Sequence, residues 1–327
     1  MLAADIGGTT SRLGLFMIGR ESIELEGSLE LKTAAFSSFF NLLKKAAEID
    51  LRFSLAQVQG CVFAVPGPLE DEDVVVLTNV EWTIPVAVLR KQYPQISIEV
   101  VNDFVAQSYG CLAAQAEDME VVQYGVPRKM SPLAVIGAGT GLGHSALFPW
   151  RNEEYIPVAS EAGHTLISFY EKEKDFELFL KKRLSVPYIT KEMAVSGRGL
   201  SLLHLFLTGR ELSSPAVVAE ISSTSLTTYF FASFYARACR DFALTILPMH
   251  GLFISGGVAV SNPWLVNNDF FREEFNFSLT HSSLLSRIPL YVLLREDMGL
   301  WGAARYGYYR FNLGEQTTGS ENPFSYW

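Results

Sequence analysis

Two polar residues interrupt an apolar stretch in "SIEVVNDFVAQSYG", residues 97–110. Ile98, Val100 and Val101 read as a buried strand, and Phe104 and Val105 open a run that reads as a helix. Asn102 and Asp103 fall at the joint. An aspartate there has two uses. It can cap the helix by accepting from the free N–H groups of the first turn, or it can present a carboxylate to a substrate that must lose a proton. The local sequence does not choose between them. In "VASEAGHTL", Glu161 and His164 stand three apart, with Ala162 and Gly163 between them. Such small residues let both side chains turn to one pocket. A single histidine without a nearby cysteine is a poor zinc site, and by itself His164 reads as structural. Glu192 precedes the break "SGRG" and, alone, reads as a solvated helix residue.

Glycine turns supply a second kind of chemistry. "DIGGTT" places Gly7, Gly8, Thr9 and Thr10 between two apolar runs, and "GAGTG" places Gly139, Thr140 and Gly141 in the same setting. Glycine lets a ligand approach the backbone closely, and several N–H groups can then cradle phosphates. Asp5 ends the first strand, in a place where an anion would bind. An acid beside a phosphate loop makes sense if a hydrated Mg2+ lies between them. One such turn alone would be an ordinary hairpin. Two matched turns and a third glycine pair, Gly256 and Gly257 in "SGG", favour nucleotide phosphates. Neither a Walker loop nor a dinucleotide fingerprint is present, since "GAGTGLG" lacks the GK[ST] ending and is followed by strand-like residues.

The elements that must position these residues follow an α/β pattern. "LAADIGGTTSRLGLF" at 2–16 and "LAVIGAGTGLGHSALF" at 133–148 repeat one plan: buried strand, glycine turn, outgoing strand. Each can open one half of a duplicated α/β fold, with the turns facing across a cleft. Strands are expected in "GCVFAV", "DVVVLTNV", "ISIEVV", "GLFIS" and "IPLYVLL". Helices are expected over 38–49 behind Ser37 or Ser38, in "IPVAVLRKQY", at about 173–184, 198–209, 215–222 and 225–247, and in "MGLWGAARYGYYRF". The tail "GEQTTGSENPFSYW" reads as irregular. With 327 residues, two domains are the default. A net charge of −9 without a Lys/Arg run excludes a basic nucleic-acid footprint. Arg237, Arg240 and Asp241 argue against a membrane span at 225–247. Cys61, Cys111 and Cys239 are far apart in apolar surroundings, as expected of free thiols in a reducing cytosol. The opening "MLAADIGG" has no secretory n-region or h-region, so a cytoplasmic protein is expected.

The ordered set "ADIGGTTSRLGL", "VPGPL", "VNDFVAQ", "GAGTGLG" with "EAGH", "EMAVSGRGL", "FISGGV" and "GLWGAARY" resembles the bacterial glucokinases, hexose kinases of the actin-like ATPase superfamily. The resemblance implies two ribonuclease-H-like domains around a central cleft: a small one at 1–104 plus 298–327 and a large one at 105–297. It implies ATP with Mg2+, glucose as the sugar, and dimerisation. "DIGGTT" and "GAGTG" become the phosphate loops, "SGG" the adenosine contact, and Asp5 a water-mediated Mg2+ partner. Asn102, Asp103, Glu161, His164 and Glu192 fall on sugar-binding positions, and Asp103 on the catalytic base. The chain departs from the family pattern at Thr10, where asparagine is frequent, at Ala162, where glycine is usual, and at Arg198, where proline is common. It also lacks an acidic residue two positions after His164. None of these removes a sugar or base residue. A kinase for mannose, fructose or an amino sugar stays open at this point, as does a non-catalytic sugar or nucleotide sensor.

Overall fold

The computed structural model describes residues 1–19, 22–67, 69, 71, 73–77, 80–150 and 154–311. The chain opens with β1 (Leu2–Ile6), turns through glycines into β2 (Thr10–Ile18), and pairs onward with β3 (Ile23–Lys32). Exposed charges at Glu24, Glu26, Glu30 and Lys32 suit β3 to a sheet edge. Helix α1 (Phe39–Ile49) starts at Ser38, whose Oγ accepts from Asn41 N, and buries Phe39, Leu42, Leu43 and Ala46 along one stripe. Strand β4 (Gly60–Val65) is buried at every position, as a central parallel strand must be. Then come the small ladder β5 (Val75–Val76) and β6 (Thr83–Ile84), helix α2 (Val86–Gln92), strand β7 (Ser97–Asn102) and helix α3 (Asp103–Cys111). The five-stranded sheet runs β3-β2-β1-β4-β7, with β1 to β3 antiparallel and β4 and β7 parallel to β1. The strand expected in "DVVVLTNV" shrinks to Val75 and Val76, and Thr78 and Asn79 lie outside the described residues.

The plan then repeats. Strand β8 (Met119–Gln123) precedes β9 (Leu133–Ala138), β10 (Leu142–Pro149) and β11 (Tyr155–Ser160). Helices α4 (Lys174–Leu184), α5 (Lys191–Ala194), α6 (Gly197–Thr208), α7 (Ser214–Glu220) and α8 (Leu226–Ile246) follow. They lead to β12 (Gly251–Ser255), α9 (Gly257–Val260), α10 (Asp269–Asn276), α11 (Ser282–Leu285) and β13 (Leu290–Leu293). The six-stranded sheet runs β11-β10-β9-β12-β13-β8. It too is an antiparallel trio, β9 to β11, followed by two strands parallel to β9, with β8 added antiparallel at the edge. The sequence echo between 2–16 and 133–148 thus occupies one position in both sheets, the β1–β2 and β9–β10 hairpins. Sequence patterning missed β8 and β11. Strand β11 contains Pro157, which an edge strand tolerates, and β8 is a short strand at the opposite edge.

The chain ends its described course in α12 (Met298–Arg310), which packs on α3: the ring of Tyr109 meets Tyr306 and Tyr309 at 5.5 and 5.9 Å. This packing holds α3 with the first sheet. The first of two compact units therefore runs to Ala114 and resumes at Asp297, and the second is Gln115–Glu296. A boundary after residue 104, expected from the sequence, would have cut α3 from the helix it packs against. Each unit has its own apolar core. Among the described residues no helix is long and apolar enough to cross a membrane. Cys61, Cys111 and Cys239 are buried free thiols, and burial pushes each pKa up. The tail from residue 314 onward lies outside the described residues.

Candidate active site

In the first unit the β1–β2 turn is closed by Gly7 N donating to Thr10 O at 2.9 Å. Thr33, immediately after β3, supports it from behind. Its Oγ1 donates to Gly7 O at 2.7 Å, and its N donates to Thr9 O at 2.9 Å. Nothing in the local sequence marks Thr33, because the contact spans 26 positions. Gly8 and Thr10 are partly exposed and Thr9 is exposed, so the turn is open to a ligand. Asp5 lies one strand position before Ile6 and is partly buried. Burial raises its pKa to about 6, partly offset by the nearby Arg12 guanidinium.

Strand register puts this turn and the polar joint at one end of the sheet. Asp5 pairs with Ala64 and Asn102 with Val65, on opposite sides of β4. All three strands are parallel, so these are their carboxyl ends, where open α/β sheets bind ligands. At the joint the cap is Asn102, not Asp103. Asn102 Oδ1 accepts from Phe104 N at 2.9 Å and from Val105 N at 3.2 Å, while its Nδ2 donates to Gly67 O at 3.0 Å. Asn102 thus ties the base of α3 to the "VPG" turn, whose next residue, Pro68, lies outside the described residues. Asp103 is the first helical residue and is partly exposed, with Oδ1 accepting from Phe104 N at 2.9 Å. The capping role is filled without it.

In the second unit the β9–β10 turn is closed by Gly139 N donating to Gly141 O at 2.9 Å. Gly197 N, in the first turn of α6, donates to Gly139 O at 2.9 Å and fixes the turn against that helix. Ser196 caps α6 through Gly199 N at 3.1 Å, so the "SGRG" break is a helix start, with Arg198 exposed on it. Gly256 takes φ +81°, and a Cβ there would lie 2.4 Å from Ala138 O, so only glycine lets the end of β12 reach the end of β9. Gly257 then opens α9. Tyr235 clasps both strand ends, its Oη accepting from Ala138 N at 3.0 Å and donating to Ser255 O at 3.3 Å.

Glu161, His164 and Glu192 come together beside this turn. Residues Ala162–His164 form one helical turn pressed onto β10, and a Cβ on Gly163 would sit 2.1 Å from Leu142 O. His164 Nε2 lies 3.6 Å from Glu161 Oε2, and Nδ1 lies 3.6 Å from Glu192 Oε1. Glu192 is partly buried on α5, and its Oε2 would be 2.7 Å from a Cβ on Gly141. It is therefore not a solvated helix residue but the link between His164 and the glycine turn. The three side chains offer two acceptors and one ring that can donate, which suits a polyhydroxylated ligand.

Among the described residues no group of three or more His, Cys, Asp or Glu could hold a metal ion. The single desolvated carboxylate of Asp5 fits a largely hydrated Mg2+ that arrives with a nucleotide, because Mg2+ keeps its waters and takes few protein ligands.

A sequence model of the glucokinase family, described as Glucokinase, matches residues 2–308. A glucokinase of Nostoc punctiforme is 29% identical over 339 residues, covering 93% of this chain and 97% of that protein. The crystal structure of a glucokinase from an Antarctic psychrotroph has a TM-score of 0.79 and 25% identity, covering 93% of this chain and 97% of that one. A Balamuthia mandrillaris glucokinase solved with glucose shares the fold, with a TM-score of 0.72, 20% identity and coverage of 93% and 92%. The family match runs from the first strand into α12 and takes in both glycine turns and the joint at Asn102, so the chain belongs to the glucokinase family.

Proposed function

We propose that this chain transfers the γ-phosphoryl group of ATP to the 6-hydroxyl of glucose, the entry step of glycolysis. The observation that carries this reading is the placement of Asp103 at the carboxyl end of β7, at the same end of the sheet as the first glycine turn. Asp103 accepts the hydroxyl proton as the sugar oxygen attacks the γ-phosphorus. The new O–P bond forms while the bond to the leaving ADP oxygen breaks. A base of this kind contributes on the order of 10²–10⁴ in rate. Asn102, Glu161, His164 and Glu192 hold the sugar hydroxyls. Gly7, Gly8, Thr9 and Thr10, with Gly139, Thr140 and Gly141, offer N–H and O–H groups to the phosphates, and Gly256 and Gly257 border the adenosine. Mg2+, when bound, neutralises phosphate charge, and Asp5 would hold it through water.

The finer architecture belongs to the same proposal. The shared strand plan of the two sheets supports two ribonuclease-H-like domains of the actin-like ATPase kind, flanking a cleft that closes to exclude water. We place the protein in the cytoplasm, in keeping with its buried thiols, and as a homodimer on the family resemblance. Sedimentation velocity tests the dimer. A coupled ADP-release assay with glucose, mannose, fructose and glucosamine tests the activity. Glucose should give the highest kcat/KM. Preference for another sugar would overturn glucose as the substrate, and sugar binding with no ADP formed would mark a sensor instead.

A further inference from the structure

His164 and Glu192 are neighbours because the residues flanking them are paired. Lys191 N donates to Thr165 O at 2.9 Å. The pairing continues outward through the Leu166–Thr190 bridge and the bond from Ile167 N to Ile189 O at 3.2 Å. His164 immediately precedes one arm of this short ladder, and Glu192 immediately follows the other.

The same lysine closes the ladder with its side chain. Lys191 is 8% exposed. Its Nζ donates to Thr165 Oγ1 at 3.0 Å and lies 3.2 Å from Asp241 Oδ2 on α8. Thr165 Oγ1 in turn donates to Ala162 O at 2.7 Å. A chain of polar contacts therefore runs from the long helix, through Lys191, to the backbone between Glu161 and His164. A buried ammonium is a costly way to fill space, since one carboxylate and one hydroxyl return only part of its lost hydration. An apolar side chain of similar length would fill it more cheaply. What the ammonium adds is direction, because its partners must stay where its N–H groups point.

We propose that Lys191 is a positioning residue for sugar binding. It clamps Thr165 and the Glu161–His164 turn to Asp241 on α8, while its own backbone carries Glu192. The three side chains assigned to the sugar then keep one arrangement before the sugar arrives. This rests on the reading that Glu161, His164 and Glu192 hold the sugar.

The test uses the full chain as Lys191→Met, Thr165→Val and His164→Ala, assayed for KM toward glucose and ATP and for glucose Kd by calorimetry. Lys191→Met should raise the glucose KM and Kd roughly 10- to 100-fold, as misplaced binding groups do, and leave the ATP KM near wild type. Thr165→Val, which removes only the hydroxyl link, should raise the glucose KM by a smaller factor, and it carries the test if Lys191→Met does not fold. An unchanged glucose KM in folded Lys191→Met, or in Thr165→Val, overturns the clamp. So does an equal rise in both KM values, which marks general loosening. His164→Ala separates the two readings. Wild-type glucose affinity in that variant overturns the sugar assignment itself. Lost affinity there with intact affinity in Lys191→Met overturns the clamp alone.

Discussion

Asp5 and Asp103 are carboxylates at the same end of one sheet, yet their surroundings differ. Asp103 sits partly exposed at the first turn of α3, and Asn102 already fills the cap. In the proposed reaction this carboxylate takes the sugar proton. Asp103→Asn should lower kcat by about 10²–10⁴ while glucose binding stays measurable by calorimetry. A kcat near wild type would remove Asp103 from the base role. Asp5 is desolvated, and its pKa rises from 3.8 to about 6. The folded chain thus binds this proton more tightly than the unfolded chain between those values. Stability from this group is present at acid pH and falls as pH rises through that window. Asp5→Asn should flatten the fall in Tm between about pH 4 and pH 6 and raise Tm at pH 7. It should also weaken turnover with Mg·ATP. A pH-dependent Tm identical to wild type would show that the carboxyl is not strained by burial.

At the scale of elements, the second unit is organised around α8. Its Arg237 is 1% exposed and pairs with both oxygens of Glu173, at 2.9 and 3.1 Å, with Glu274 3.3 Å away. Its guanidinium also lies 4.0 Å from the centre of the Tyr170 ring. Burial works against the charge, but the bonds to Glu173 outweigh it and hold the pKa above the ordinary value. This knot joins α8 to the start of α4 and to α10. It explains how a long, largely apolar helix carries charge inside a packed core. Glu173→Ala leaves the guanidinium without its main partner and should cost about 3–5 kcal/mol in urea unfolding. Turnover per folded molecule should be unchanged, since the pair touches none of the site residues. A loss below 1 kcal/mol would mean that Glu274 and the Ser168 carbonyl suffice for the arginine.

At the scale of the molecule, the residues assigned to the sugar divide between the two units: Asn102 and Asp103 in the first, Glu161, His164 and Glu192 in the second. On the proposed assignment, glucose should raise Tm, and the rise should continue with the logarithm of glucose concentration above its Kd. An unchanged Tm at saturating glucose would count against glucose binding. The duplicated strand plan gives each half a central hairpin with a glycine turn at the carboxyl end of its parallel strands.

Much of this was legible in the sequence. The glycine turns, the joint at residues 102–103 and helices α4, α6, α7 and α8 rest on local rules: turns need glycine, helices need caps and a buried stripe, and buried strands need unbroken apolar runs; α5, α9, α10 and α11 were not foreseen. The two-fold echo was legible for the same reason, since both hairpins obey the same local chemistry. What local rules could not decide was contact between distant segments. Thr33 behind Gly7, Asn102 rather than Asp103 as the cap, and Tyr235 across two strand ends are set by register and packing. Glu192 read as a solvated residue because its partner His164 is far off in sequence and meets it only through the ladder at Thr165 and Lys191. The sequence by itself determined which chemical groups the protein has and the turns that present them. The tertiary structure decided which of those groups share surroundings, because burial and hydrogen bonding are properties of neighbours in space, and a residue's neighbours in the chain do not set them.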